Sequence, residues 1–158
     1  MFRPMRPCRA PLSEGQCKEI LNRQLRGVLS LLGDDGYPYG VPINHWFNEA
    51  DGCLYFHSGP VGHKLDAMAL CRKASYCVCS DPWKEEGDWA WNVRSVIVFG
   101  KLERIEDQSR AIEITRQLSY RFTADTAFIE EEIRKSGAAV RVFRLVPEQI
   151  TGKEIQES

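Results

Sequence analysis

Residues Gly27 to Phe47 read GVLSLLGDDGYPYGVPINHWF, and this stretch decides the fold. Gly27 to Leu32 is an apolar run typical of a β-strand. Gly33 to Gly36 carries the Asp and Gly residues that tolerate the left-handed backbone of a tight turn. Tyr39 to Phe47 then alternates its side chains between two faces, as a returning strand does. The stretch therefore predicts an antiparallel hairpin.

The flanking sequence extends this hairpin into a larger antiparallel sheet. A turn at residues 48–52 leads to a third strand, so the first three strands are expected to form a meander. Pro42 has no N–H to give to a ladder and therefore indicates an edge or a bulge. A strand at residues 139–146 is expected to stop at Pro147. The six predicted strands cover residues 27–32, 39–47, 53–58, 74–80, 95–105 and 139–146.

Helical segments separate these strands and complete a mainly β fold with some α structure. Ser13 to Gln16 has the form of a capping box and predicts a helix to about residue 24. Further helices are expected at residues 63–71 and 107–135, the latter broken near residues 123–125. Because closure hides strand edges, we expect the six antiparallel strands to form a small closed or nearly closed barrel with flanking helices. Residues 1–158 form one domain, with an extended arm at 1–12 and a polar tail at 151–158.

Composition and charge exclude several classes of function. The formal net charge is -1, without the basic excess that duplex-binding domains show, so no nucleic-acid partner is expected. No apolar run is long enough to cross a bilayer, and no apolar segment follows the basic N-terminus as in a secretory signal. A cytoplasmic location without a membrane partner is expected. The six cysteines are expected to be reduced and mostly buried.

Gly62-His63-Lys64 is the first candidate binding element. The strand ending at Ser58 is followed by glycines and then by a helix that begins with His63 and Lys64. Free N–H groups and the positive end of the helix dipole meet at such a point, so a lysine there is unfavourable unless an anion is bound. The pattern suits a phosphate cradle that includes the Ser58 hydroxyl. An ordinary turn with a solvated lysine remains open.

Two further segments could contact a flat ligand. Small residues around Pro42 and Asn44 would let a ring lie against backbone, with the Asn44 amide at its edge, although a kinked barrel strand explains them equally. The loop at residues 81–92 carries Trp83, Trp89 and Trp91, which favour a ligand or subunit contact over a simple cap. The three histidines have no carboxylate at ligand spacing, so no metal site is expected, and the serines lack a nucleophile elbow.

Taken in order, several segments resemble the pyridoxamine 5'-phosphate oxidase-like, flavin-binding split-barrel superfamily, and most of all its nitroimidazole-resistance branch. The resemblance spans nearly the whole chain. It is carried by the residues Gly27–Ser30, Asp35–Asn44, Leu54–His57, Gly62–Asp66, Ser95–Lys101 and Ile150–Lys153.

The resemblance implies that the barrel is a six-stranded antiparallel split β-barrel with flanking helices, and that the protein is a homodimer with FMN bound at the subunit interface. Pro42, Ile43 and Asn44 would lie near the isoalloxazine ring, and Trp91 and Ser95 would reach the cofactor across the dimer. The path to the phosphate would run through Phe56, His57, Ser58, His63 and Lys64.

The activity implied is a flavin-dependent reductase of a small nitro-substituted or otherwise oxidised substrate, in which no side chain needs to act as acid or base. A non-enzymatic FMN-binding module and a haem-handling protein, with His63 or another histidine as axial ligand, remain open alternatives. Authentic pyridoxamine-phosphate oxidase activity is disfavoured, because the sequence shows no second phosphate cradle.

Overall fold

The computed structural model describes Phe2 and residues 10–157. Most of the predicted arm, with Cys8, lies outside the described residues. The helices are α1 (Glu14–Arg23), α2 (His63–Leu70), α3 (Gln108–Tyr120) and α4 (Thr126–Ser136). The strands are β1 (Ala10–Pro11), β2 (Arg26–Leu32), β3 (Pro38–Asn44), β4 (Trp46–Asn48), β5 (Cys53–Ser58), β6 (Lys73–Cys79), β7 (Trp91–Arg104) and β8 (Arg141–Glu157).

All of these strands belong to one antiparallel sheet with the order β3-β2-β6-β7-β8-β5-β4, and β1 adds to β8. The two ends of this order, β3 and β4, are separated in sequence only by His45. The sheet is therefore curled until its ends meet, which confirms the predicted split barrel. Pro42 lies on the end strand β3, where its missing N–H costs no ladder bond, as the sequence indicated.

The interior of the curled sheet holds the main core. Leu29, Tyr76, Val96 and Val98 are fully buried on one face of the central strands. Helix α1 contributes Leu21 to the same cluster. A smaller cluster lies where α3 packs against β5 and β8. The helices thus flank the sheet, as expected for a mainly β fold.

Three helix starts follow their sequence signals. Ser13 and Gln16 form the predicted reciprocal capping box of α1. Asp107 and Asp125 cap α3 and α4 through their side chains, and the break predicted near residues 123–125 separates the two helices. None of the described helices has the length and apolar character needed to cross a membrane.

The predicted three-strand meander is wrong, because the second strand is divided at His45. Its first part, β3, pairs with β2, whereas its second part, β4, pairs with β5. The His45 N–H instead donates to the Leu25 carbonyl at 3.2 Å, and its ring is wholly buried. The division at His45 and the short β1 raise the strand count from the six predicted to eight.

The predicted stop at Pro147 is also wrong. Strand β8 continues to Glu157, and β7 pairs with it from Trp91 onward, so most of the expected polar tail is part of the sheet. The register shifts beside Gly100, where the ladder steps from Phe99 opposite Gln149 to Gly100 opposite Pro147. This bulge accommodates the proline inside the strand. A Cβ on Gly100 would lie 2.2 Å from the Val146 carbonyl oxygen, so only glycine fits there.

Candidate functional site

A cleft of about 320 Å³ lies between the β3 end of the sheet and β5. It is lined by Pro42, Ile43 and Asn44 from β3, by His57 from β5 and by Arg26 from β2. The curling of the sheet brings these strands together, although β3 and β5 are not neighbours in the ladder. Four residues that the sequence nominated thus surround one concave surface.

Arg26 is the cleft residue that sequence reasoning missed. It lies opposite Asn44 in the β2–β3 register, and its Nε donates to Asn44 Oδ1 at 2.8 Å. With Oδ1 occupied, the amide is oriented with its Nδ2 donors free for a ligand. The turn predicted at residues 33–36 would pair residue 26 with residue 43, one position away from the observed partner Asn44, so the sequence carries no direct signal for Arg26.

His57 brings a neutral ring to the cleft. Its side chain reaches solvent through the mouth of the cleft but is crowded by protein atoms, and this partial burial lowers the pKa of the imidazole. The positive charge of Lys64 lowers that pKa further. The cleft is therefore electrostatically connected to the first turn of α2.

The β4–β5 ladder ends at Trp46 opposite Tyr55. Beyond that point, residues 56–58 have no strand beside them on the side away from β8 in the described part of the chain. Their main-chain groups on that side are available to a ligand. The free edge of β5 leads directly from the cleft toward α2.

The start of α2 has unpaired donors. Its N-cap is Gly62, with φ of 140° and no side-chain hydrogen bond to cap the helix. The main-chain N–H groups of His63 and Lys64 lie in the first turn, where no intrahelical acceptor exists. Nearby in sequence, Ser58 is 6% exposed, and its Oγ has no hydrogen-bond partner among the described residues. A helix start with free N–H groups, preceded in the chain by a buried hydroxyl without a partner, is a candidate binding element for an anionic ligand group.

Two of the predicted contacts are placed differently from the others. The Phe56 side chain is fully buried in the core, stacked on Phe143 at 5.3 Å between ring centroids, so only its main chain remains available to a ligand. The His63 ring stacks on Tyr39 at 4.1 Å and lies 3.5 Å from Asp34. His63 therefore faces the β2–β3 turn.

The ladder register places the cleft on the outer face of the sheet. Val28 lies opposite Pro42 on one side and opposite Cys77 on the other, and Cys77 lies opposite Ile97. Residues directly opposite one another in an antiparallel ladder project from the same face. Pro42 and Ile97 therefore share one face of the sheet, opposite to the core.

Trp91 and Ser95 belong to this same outer face, because each is an even number of residues from Ile97 along β7. Asn44 also projects from this outer face, because it is two residues from Pro42 along β3. Trp91 is 47% exposed and has the Lys84 ammonium 5.1 Å from its ring centre. The structure thus brings Trp91 and Ser95 to the face that carries the cleft, without placing them in its lining.

This outer face is unusually apolar for a solvent-exposed surface. Cys77, Ile97 and Val93 are only half-buried on it. Its exposed apolar side chains are Val28, Trp91, Phe99 and Ile155, each between 36% and 47% accessible. Several exposed apolar side chains on one face of a sheet are typical of an interaction surface.

The other tryptophans of the loop are placed apart. The Arg94 guanidinium lies 5.0 Å from the ring centre of Trp83, whereas Trp89 is 75% exposed. No group of three or more potential ligand side chains that could hold a metal ion occurs within the described residues.

The comparisons with known proteins agree with this architecture. A sequence profile of the family described as pyridoxamine 5'-phosphate oxidase matches residues 13–154. No curated protein sequence matches the chain.

Among solved structures, a candidate 5-nitroimidazole antibiotic resistance protein from Bacteroides thetaiotaomicron aligns with a TM-score of 0.77 and 21% identity, over 93% of this chain and 87% of that one. An FAD-binding protein from Mesorhizobium loti aligns with a TM-score of 0.63 and 25% identity, over 92% and 96%. An FAD- and haem-binding protein from Mycobacterium smegmatis aligns with a TM-score of 0.65 and 21% identity, over 89% and 70%.

Proposed function

Because the chain belongs to the pyridoxamine 5'-phosphate oxidase family, we propose that it is a flavin-binding protein and that FMN is its cofactor. One observation carries this proposal. His57, which lines the cleft with Pro42 and Asn44, is followed in the chain by Ser58, whose buried hydroxyl has no partner among the described residues, and then by the uncapped start of α2 at Gly62. A flat ring followed by a phosphate needs such a sequence of surfaces.

Each part of the site has a task in this proposal. The Arg26–Asn44 pair presents amide donors to the edge of the ring, and Pro42 offers an apolar surface to its face. Ser58 and the first N–H groups of α2 hold the phosphate, and Lys64 supplies the opposing charge. When bound, the flavin supplies electron and hydride transfer, and the protein orients it and sets its electrostatic surroundings.

We propose further that the protein acts as a homodimer in which the outer face of the sheet is the subunit contact. The exposed apolar side chains of this face lie beside the cleft, and burial of such a patch stabilises association. Trp91 and Ser95 then reach the ring from the partner subunit, since they share the face with the cleft but do not line it in one chain. The site is thus completed by dimerisation.

The finer proposal is a reductase of a small oxidised molecule, with a nitro compound as the first candidate. The cleft is open to solvent at His57, so a small substrate can approach the ring there. The lowered pKa of His57 keeps the imidazole neutral, and a neutral donor or acceptor positions an uncharged substrate. A structural likeness to a candidate 5-nitroimidazole resistance protein supports a nitro compound as the first substrate to test.

The proposal is tested by purification followed by titration with FMN, FAD and riboflavin. We expect a flavin absorption band, or saturable quenching of added FMN fluorescence, at a stoichiometry of one flavin per chain. A protein that is colourless and binds none of the three flavins would refute it. Anaerobic mixing with NADH or NADPH then separates a reductase, which bleaches the flavin, from a binding module, which does not. A Soret band on titration with haem, without flavin binding, would favour the haem alternative.

A further inference from the structure

A buried hydrogen-bond chain runs directly beneath the candidate flavin cleft. The Tyr76 hydroxyl donates to the Ile43 carbonyl at 2.9 Å and also lies 2.9 Å from His45 Nδ1. The other ring nitrogen, His45 Nε2, lies 2.7 Å from the Leu21 carbonyl in α1. Tyr76 and His45 are both 0% exposed. Four segments of the protein, α1, β3, the β3–β4 break and β6, are therefore joined by one continuous polar connection.

This hydrogen-bond chain fixes the residues on both sides of Asn44. Ile43 precedes it and is tied through its carbonyl to Tyr76, and His45 follows it and is tied through its ring to the same hydroxyl. The His45 N–H is also fixed to the Leu25 carbonyl. Asn44 itself projects to the outer face, where Arg26 orients its amide. The orientation of the cleft amide thus depends on anchors that a ligand never touches.

The protonation states of the groups show that the Tyr76 hydroxyl makes both the contact to the Ile43 carbonyl and the contact to His45 Nδ1. The Leu21 carbonyl can only accept, so His45 Nε2 carries a proton. Burial holds the pKa of His45 at about 4, with a further lowering by the charge of Arg121, so the ring is neutral near pH 7 and Nδ1 is an acceptor. The single hydroxyl hydrogen of Tyr76 is then shared between Nδ1 and the Ile43 carbonyl. Removal of this hydroxyl takes away one hydrogen bond from each neighbour of Asn44, at the Ile43 carbonyl and at His45 Nδ1.

We infer that Tyr76 and His45 are positioning residues for the flavin cleft, which clamp the main chain on either side of Asn44 so that its amide meets the ring edge. This inference rests on the proposed flavin site. Glycine at position 27 is part of the same arrangement, because a Cβ there would lie 2.8 Å from the Tyr76 hydroxyl oxygen and 2.5 Å from the Cys77 carbonyl oxygen. Gly27 in β2 therefore leaves room for the Tyr76 hydroxyl, which with His45 forms the clamp around Asn44.

The test compares Tyr76→Phe with Tyr55→Phe in the full-length protein. Tyr55 is the matched control: it is 1% exposed, and its hydroxyl donates to Asp51 Oδ2 at 2.6 Å and accepts from Arg110, in the cluster beneath α3. We expect Tyr76→Phe to weaken FMN binding by about tenfold, the effect of one misplaced hydrogen bond, and Tyr55→Phe to leave it unchanged. Equal losses of affinity in both variants would overturn the positioning role, since they would reflect general destabilisation.

Hydrogen exchange measured without flavin separates this inference from the proposed function. We expect faster exchange over residues 42–46 in Tyr76→Phe and unchanged exchange there in Tyr55→Phe. Unchanged exchange in Tyr76→Phe would overturn the clamp. Faster exchange with wild-type FMN affinity would overturn its role in positioning. If the wild-type protein bound no flavin, the proposed function and the positioning role would both fail, whereas the exchange data would still decide whether the clamp exists.

A measurement on the wild-type protein covers the case in which Tyr76→Phe does not fold. Nitrogen chemical shifts of the His45 ring at pH 7 should report a neutral imidazole with its proton on Nε2. A neutral ring with its proton on Nδ1 would contradict the proposed hydrogen-bond chain, because Nε2 could then not donate to the Leu21 carbonyl.

Discussion

Arg26 Nε donates a 2.8 Å hydrogen bond to Oδ1 of Asn44, from the residue directly opposite it in the β2–β3 ladder. The bond assigns the two ends of the amide: the oxygen faces the guanidinium, and the nitrogen is left for a ligand. A cleft that would otherwise offer either polarity to a ring edge therefore offers donors. This polarity suits the carbonyl edge of a flavin, and it can be inverted by a change of one atom.

Asn44→Asp is expected to weaken FMN binding by about tenfold, because it keeps the acceptor for Arg26 but replaces the donor that faces the ring with a second acceptor. Fluorescence titration measures the change. Asn48→Asp is the matched control, since the Asn48 side chain accepts from the Ala50 N–H in a turn outside the cleft lining. Wild-type affinity in Asn44→Asp would remove the amide from ring recognition.

Lys64→Ala is expected to weaken FMN binding by about 10- to 100-fold, because a charge-assisted contact to phosphate is lost. Riboflavin has no phosphate, so its affinity should not change. The comparison of the two ligands therefore tests the phosphate contact and not merely the cleft. Lys135→Ala is the control, since Lys135 pairs with Glu131 and Glu132 on the surface of α4. Equal losses for FMN and riboflavin would place Lys64 against the ring and refute a phosphate role.

Local signals in the sequence predicted much of this fold. The hairpin turn, the capping box at Ser13 and the break before α4 depend on residues close together in the chain, and the structure has all three. The break at His45 depends on the Leu21 carbonyl and the Tyr76 hydroxyl, which come from distant segments. Because the alternation of side chains continues through His45, the sequence there still indicates one uninterrupted strand.

Phe56 shows a second limit, in the candidate site. Both faces of β5 are covered, so Cys53 to Phe56 are all buried and the strand has no simple in–out alternation over these residues. The resemblance named Phe56 and His57 together, and of these two β5 residues only His57 lines the cleft, since the Phe56 side chain lies in the core. Arg26 was missed because its position opposite Asn44 follows from the observed register of the hairpin, which the residue types alone do not reveal.

Acid is expected to destabilise the protein through His45. Its pKa is about 4 in the folded state and about 6.5 in an unfolded chain, so between these values the unfolded state binds a proton that the folded state does not. The contribution of His45 to the free energy of unfolding is thus fully present above pH 6.5 and is lost as the pH drops toward 4. The expected loss from this one residue is about 2 kcal/mol between pH 7 and pH 5.

Urea unfolding at pH 7 and pH 5 measures this loss, with His45→Gln as the comparison. The variant is less stable at pH 7, because the contacts of the ring are lost, but its stability should change less between the two pH values. Part of the slope should remain, because His57 also has a lowered pKa and acts in the same direction. An identical pH dependence in the variant and the wild type would show that His45 is not the buried neutral group.

The outer face of the sheet yields the last prediction. We expect the wild-type protein to sediment as a dimer, and Ile97→Asp to sediment as a monomer, because a carboxylate at the centre of a buried apolar contact is left without a partner. Ile97 is opposite Cys77 on the face that carries Trp91 and Ser95, so the monomer should also lose FMN affinity. Leu70→Asp is the control, since Leu70 is 75% exposed on α2 and lies off this face. A monomeric wild-type protein would refute the homodimer, and a dimer that persists in Ile97→Asp would place the subunit contact elsewhere. A monomeric variant with undiminished FMN affinity would instead show that one chain supplies the whole site, because the partner's side chains would then contribute nothing to binding.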